Sequence, residues 1–253
     1  MKKAIIIILC LAMLIPCMTI CVTAEESEKK EAYEVFTDVD KEAWYYKYVN
    51  TAYSGFYSNF YGVYIAFMDG TSETTFEPDR PITREEFVTI YYRIKSIIDK
   101  DLDAFVEGLP DVPFTDVSQN EWYSNAIKYA YNRNLINGVG DNKFGIGQYI
   151  TREDVAVFLY ADVAHQTPEE CVVNDIDEVS YYAKEAVIYL TSYLYISNYW
   201  SLSPPNNFNL DPLFVGNENG DFMPHDYLTR AQAAAVYLKL LNGNYYYSGD
   251  QKT

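Results

Sequence analysis

The chain has 253 residues, a formal net charge of -17 and 26 tyrosines. Its 36 acidic residues against 19 basic ones exclude nucleic acid as a natural partner, because that affinity rests on Lys and Arg neutralising phosphates. The balance does not exclude an anionic ligand held locally by a few arginines, and it fits an exported protein kept soluble by self-repulsion.

Residues 1–24 read as a secretory signal peptide. Lys2 and Lys3 are followed by an apolar run from Ala4 to Ile15 and the small-residue pattern Val22-Thr23-Ala24. The run is shorter than the roughly 20 residues of a spanning helix. No second run follows, so the remaining chain is expected not to span a membrane. Cys17 follows Pro16 and Cys21 follows Ile20, neither of which is the small residue that precedes a lipidated cysteine. Removal of this segment takes Cys10, Cys17 and Cys21 with it. Cys171 is then left alone, and no internal disulfide is expected.

Beyond a short linker at 25–35, the chain repeats itself. "FTDVDKEAWYYKYV" from Phe36, "FTDVSQNEWYSNAI" from Phe114 and "VNDIDEVSYYAKEA" from Val173 place an Asp at one interval before an aromatic: Asp38–Trp44, Asp116–Trp122 and Asp175–Tyr181. Glycine-bearing loops follow, "MDGTSETTFEP", "NGVGDNKFG" and "NENGDFMP". Each loop then leads to Thr-Arg, ahead of an apolar run: Thr83-Arg84, Thr151-Arg152 and Thr229-Arg230. This predicts units at 36–95, 114–164 and 173–242, joined by linkers at 96–113 and 165–172, with a tail at 243–253. Each unit reads helix, loop, helix.

In the first helix of each pair, Trp44, Tyr45, Tyr48, Val49 and Ala52 fall at helical spacing, as do Trp122, Tyr123, Ala126, Ile127 and Ala130. Asp40, Ser118 and Asp177 are the N-cap candidates, with Ser118 and Glu121 forming a capping box. In the second helix, Thr83 with Glu86 and Thr229 with Gln232 match the same box, and Thr151 with Asp154 is a shorter variant. The apolar positions expected in the core are Phe87, Ile90, Tyr91 and Ile94; Val155, Phe158 and Leu159; Val236, Tyr237 and Leu240. Two insertions, "YSNFYGVYIAF" in the first unit and a longer Pro/Asn/Ser-rich stretch in the third, read as surface loops.

Capping leaves the arginine unexplained. A cation in the first turn opposes the helix dipole. Its repetition in one frame points to an anion site, where helix N–H groups and a bidentate guanidinium grip a carboxylate. The alternative is an arginine paired with a neighbouring acid.

The combined pattern of FTDV, WY, DGT and ITREEF closely resembles the S-layer homology repeat of bacterial envelope proteins, in three tandem copies. The resemblance implies a mainly α fold, a pseudo-trimer around a central three-helix bundle with grooves between the repeats. It also implies a non-catalytic module that holds proteins on the cell surface by binding secondary cell-wall polysaccharide, an anionic polymer bearing pyruvate. By position, Arg84, Arg152 and Arg230 would take the acidic group. Trp44, Trp122 and Tyr181 would face sugar. Asp38, Asp116 and Asp175 would bond hydroxyls or fix the loops, and Gly70, Gly138 and Gly220 would admit ligand to the backbone. The third unit lacks the Phe and Trp of the motif, which ranks the groove of Arg152 and Trp122 first and Arg230 last.

No catalytic constellation is expected. With 36 acids, paired carboxylates carry no signal for glycoside hydrolysis. His165 and His225 lie in different units without metal-ligand spacing. Neither the DVD at Asp38 nor the NENGD at Asn217 completes a calcium loop, so no metal and no cofactor is expected. The function read from the sequence is surface anchoring through wall polysaccharide. The alternative is a structural or assembly protein of the envelope, binding other envelope proteins and with partly decayed glycan sites.

Overall fold

The structure is a computed structural model and describes residues 30–59, 61–162, 171–192, 194–195, 209–210 and 212–242. The leader, the tail at 243–253 and His165 lie outside the described residues. In chain order the elements are α1 (Ala32–Val35), α2 (Tyr46–Ser54), β1 (Phe56–Ser58), β2 (Val63–Ile65), α3 (Arg84–Ile98), α4 (Leu102–Glu107), α5 (Ser124–Asn132), α6 (Arg152–Asp162), α7 (Lys184–Thr191), β3 (Leu194–Tyr195), β4 (Asn209–Leu210) and α8 (Arg230–Asn242). The fold is mainly α, as the sequence predicts.

The three helices that begin at Thr-Arg meet at the centre. Phe87 of α3 stacks on Tyr237 of α8 at 4.9 Å and sets its edge against Phe158 of α6 at 5.4 Å. Tyr237 donates its hydroxyl to the Phe87 carbonyl at 2.7 Å, so the one polar atom of that ring is satisfied inside the core. The ten apolar positions expected in these helices are all buried.

Around this bundle the helix pairs are exchanged between units. Helix α3 packs on α5 of the second unit, α6 on α7 of the third, and α8 returns to α2 of the first. The backbone closes the same circle next to the helix starts. Ile150 N donates to Ile82 O at 3.1 Å, Leu228 N to Ile150 O at 3.0 Å, and Ile82 N to Leu228 O at 2.9 Å. Each unit is thereby bonded to both others, and the last is bonded to the first.

Local structure departs from expectation in four places. The first helices start later than predicted, with Tyr45, Tyr123 and Ala183 as N-caps, none making a side-chain cap bond. Asp40 instead accepts from Glu42 N in a tight turn. The capping box of Ser118 and Glu121 is replaced by Ser124, whose hydroxyl donates to both Ser118 O and Glu121 O. Trp44 and Trp122 consequently sit in turns ahead of the helices and are 60% and 59% exposed. The insertion of the first unit is a β-hairpin, with Tyr57 opposite Tyr64, rather than an irregular loop.

Because one core serves all three units, truncating its centre should unfold them together. Phe158→Ala is expected to cost about 3–5 kcal/mol and to lower a single cooperative transition, read by circular dichroism and by tyrosine fluorescence at the same midpoint.

Candidate ligand-binding grooves

The capping chemistry predicted for the central helices is present in two of them. Thr83 accepts from Glu86 N while Glu86 accepts from Thr83 N, and Thr229 and Gln232 exchange the same two bonds. In α6 only half of it forms. Asp154 N donates to Thr151 Oγ1 at 3.3 Å, but the Asp154 carboxylate turns outward.

The arginines are not at open groove mouths. Arg84, Arg152 and Arg230 are 8%, 5% and 6% exposed, and each reaches into the loop of the next unit. Arg84 Nε donates to Phe144 O at 3.0 Å, Arg152 Nε to Phe222 O at 2.8 Å, and Arg230 Nε to Phe76 O at 2.8 Å. A second guanidinium nitrogen donates to Asn137 O, Val215 O and Asp69 O respectively. Each guanidinium also lies over the ring of that same Phe, at 5.2, 5.0 and 4.7 Å from the centroid. Local rules leave these arginines unexplained, and tertiary structure uses each of them as a latch between units.

Each latched loop is held from below by the shared aspartate. Asp38 accepts from Phe76 N and Glu77 N, Asp116 from Phe144, Gly145 and Ile146 N, and Asp175 from Phe222 and Met223 N. Of the two roles expected for these acids, fixing the loop is the one the contacts display. At Asp116 burial pushes the carboxyl up, but the N–H groups of Phe144, Ile146 and Gly145 outweigh it and hold the group below its ordinary value. Burial lowers the pKa of Arg152 and Arg230, yet a guanidinium remains charged at any physiological pH.

The glycines serve the same turn. A Cβ on Gly70 would meet Thr75 O at 2.7 Å and Phe36 at 2.4 Å, and one on Gly138 would meet Lys143 O at 2.3 Å. Their close approach is to the loop's own backbone and ring. In the third unit the equivalent residue is Gly216, not Gly220. Gly216 follows the latched carbonyl of Val215, as Gly70 follows Asp69 and Gly138 follows Asn137, and its Cβ would meet Asp221 O at 2.7 Å. Counting back from Phe222 as from Phe76 and Phe144 would have located it. Gly220 takes a left-handed φ of +82° at the position of Asn142, which also has positive φ.

The exchange between units regroups the predicted residues. Arg230 enters the loop of Asp38 and Gly70, and α8 packs on α2, which Trp44 precedes. Arg84 enters the loop of Asp116 and Gly138, beside the helix that Trp122 precedes. Arg152 enters the loop of Asp175, beside the helix that Tyr181 precedes. Arg152 and Trp122 thus belong to different junctions. Tyr181 is 94% exposed, the most open of the three aromatics.

The junctions differ in charge. Arg84 forms an ion pair with Asp154 at 3.0 Å, within a groove of about 430 Å³ lined also by Val139, Gly138 and Tyr182. Among the described residues, Arg152 and Arg230 have no carboxylate within salt-bridge distance. Beside the Arg152 junction, a cavity of about 270 Å³ is lined by Asp175, Glu178, Asp221 and Asp226. Two buried acids were missed by the sequence reading. Glu85, 7% exposed, accepts from Gly147 N, and Glu153, 4% exposed, accepts from Ser180 N and its hydroxyl. Both tie one unit to the next, and the third helix has Ala231 in their place.

The lowered pKa of Asp116 makes its contribution to stability present above the unfolded value of 3.8 and lost as pH falls through the folded value. Asp116→Asn is expected to cost about 1.5 kcal/mol near neutrality, the low end for bonds to a charged group because the loop is partly exposed. The difference in melting temperature from wild type should shrink as pH is lowered below 3.8.

A family model described as the S-layer homology domain matches residues 66–88 and 113–156. These segments contain the loop and latch of the first unit and nearly all of the second. An endoglucanase of Bacillus sp. (strain KSM-635) is 26% identical over 95% of this chain and 22% of its own length. A cell surface protein of Thermoanaerobacter kivui is 32% identical over 51% of this chain and 15% of its own length. Cell surface glycoprotein 1 of Acetivibrio thermocellus is 26% identical over 71% of this chain and 7% of its own length. The chain spans less than a quarter of each of these relatives, so the glycosidase name belongs to a protein several times longer that shares this region. Over these two segments, which include the latched loops of the first and second units, the chain is similar to the S-layer homology domain.

Proposed function

We propose that this chain is a secreted, non-catalytic anchoring protein of the cell surface, and that it binds an anionic, pyruvate-bearing secondary cell-wall polysaccharide at the junctions between its repeats. The S-layer homology domain, an anchoring rather than a catalytic domain, and the surface proteins that share its sequence support the placement at the cell wall. The third unit enters this reading as a divergent copy of the same domain, on its latch, its loop and its helix exchange.

One observation carries the choice of ligand chemistry. Arg152 and Arg230 are buried, fixed by carbonyls and a ring, and lack a carboxylate partner among the described residues. A desolvated cation without a counter-ion is unfavourable. A ligand carboxylate supplies that counter-ion with the geometry a guanidinium prefers.

Of the two, the Arg230 junction is the better anion site. It adds the exposed Trp44, whose indole offers a flat apolar face to a pyranose ring. The carboxylates of Glu86, Glu77 and Asp38 also act on Arg230, offset in part by the Arg80 guanidinium, to which Glu86 and Glu77 are themselves ion-paired. The Arg152 junction offers Tyr181 instead and is flanked by the acid-lined cavity, which repels an anion. This ranking reverses the sequence-based one. No observation favours the assembly reading over this one.

The chain should be retained on purified native walls and released from walls stripped of the pyruvylated polymer. Trp44→Ala should weaken retention roughly tenfold, about 1.4 kcal/mol, with an unchanged melting temperature because the ring is exposed. Undiminished retention on stripped walls would point to a protein partner instead.

A further inference from the structure

The Arg84 junction repeats the geometry of the other two with one addition. Its Nε and one terminal nitrogen are bonded to Phe144 O and Asn137 O, matching the bonds of Arg152 and Arg230 to their own loops. Its remaining nitrogen, which in the other two has no carboxylate among the described residues, donates to Asp154 Oδ2 at 3.0 Å. The other Asp154 oxygen accepts from the Tyr182 hydroxyl at 3.0 Å, so the third unit holds the carboxylate in place.

The reason lies in a single methylene. At the same helical position Glu86 reaches back to Thr83 N at 3.0 Å and is also held by Arg80, at 2.7 and 3.2 Å. Gln232 reaches back to Thr229 N at 3.0 Å and is neutral. Asp154 is one methylene shorter and makes no such return bond. It points into the groove that Arg84 also lines.

We propose that Asp154 is a built-in occupant of the second groove. Its carboxylate takes the place on Arg84 that a ligand carboxylate takes on Arg230, and it makes this groove selective against acidic sugar units. Asp154 is thereby a specificity-determining residue that reduces the number of acidic units the chain can hold. The inference rests on the reading of the junction arginines as carboxylate sites.

The test uses the full chain and a synthetic pyranoside bearing a 4,6-pyruvate ketal, titrated by calorimetry and by the arginine Nε resonances in NMR. Asp154→Asn keeps a hydrogen-bonding partner for Tyr182, and Asp154→Gln copies the resident of the third unit. Each is expected to bind one more ketal per chain than wild type and to shift the Arg84 Nε resonance, with affinity at that groove raised about tenfold or more. Equal stoichiometry in wild type and both variants, at wild-type melting temperatures, overturns the proposal. So does a wild-type chain whose Arg84 resonance already responds to the ketal. Failure of the broader reading looks different: the Arg230 resonance stays silent in wild type, whatever Asp154→Asn does at Arg84.

Discussion

The fold turns on an arginine at the first position of a helix, placed where the helix dipole disfavours it, whose side chain leaves its own unit for the loop of the next. Three such latches run in one rotational sense, from the first unit to the second, the second to the third and the third back to the first. The ring of backbone bonds among Ile82, Ile150 and Leu228 follows the same circle. No unit completes its packing alone, since its long helix covers the short helix of its neighbour. Local dipole energy, worth at most about 1 kcal/mol at such a site, is outweighed by two carbonyl bonds and a ring contact per arginine.

The same arrangement gives the chain its candidate chemistry. Fixing a guanidinium by carbonyl oxygens, which carry no net charge, leaves its positive charge unneutralised inside a protein whose net charge is -17. Buried cations of this kind are normally paired. The carboxylate that pairs Arg84 comes from the chain itself, and Arg152 and Arg230 have none among the described residues. Three copies of one motif have thus diverged in the charge they present while keeping the latch that holds them together.

Much of this was legible in the sequence. The repeats, the capping boxes of α3 and α8, and the buried faces of α3, α6 and α8 follow from spacing and side-chain chemistry alone. Arg84, Arg152 and Arg230 stood out because local rules could not account for them. What spacing could not supply was the partner of each arginine, because the pairing crosses from one unit to the next over long stretches of sequence. That is why Arg152 was grouped with Trp122, and why Arg230 was ranked last although its helix packs on the one that Trp44 precedes. The helical period around Trp44 and Trp122 placed both within the first helices, but the turn held by Ser124 in the second unit starts the helix later and leaves the ring outside. Asp154 was visible as a short capping residue, while its consequence needed the groove.

On the proposed function, a junction arginine that is latched, but has no carboxylate partner among the described residues, receives the acidic group of a wall glycan. A crystal structure of the chain soaked with the pyruvate-ketal pyranoside tests it most directly. The ketal carboxylate is expected within hydrogen-bonding distance of the Arg230 guanidinium, with the sugar ring against Trp44. A ketal bound elsewhere, with the Arg230 guanidinium still donating to the Phe76 and Asp69 carbonyls and to no ligand, would contradict it.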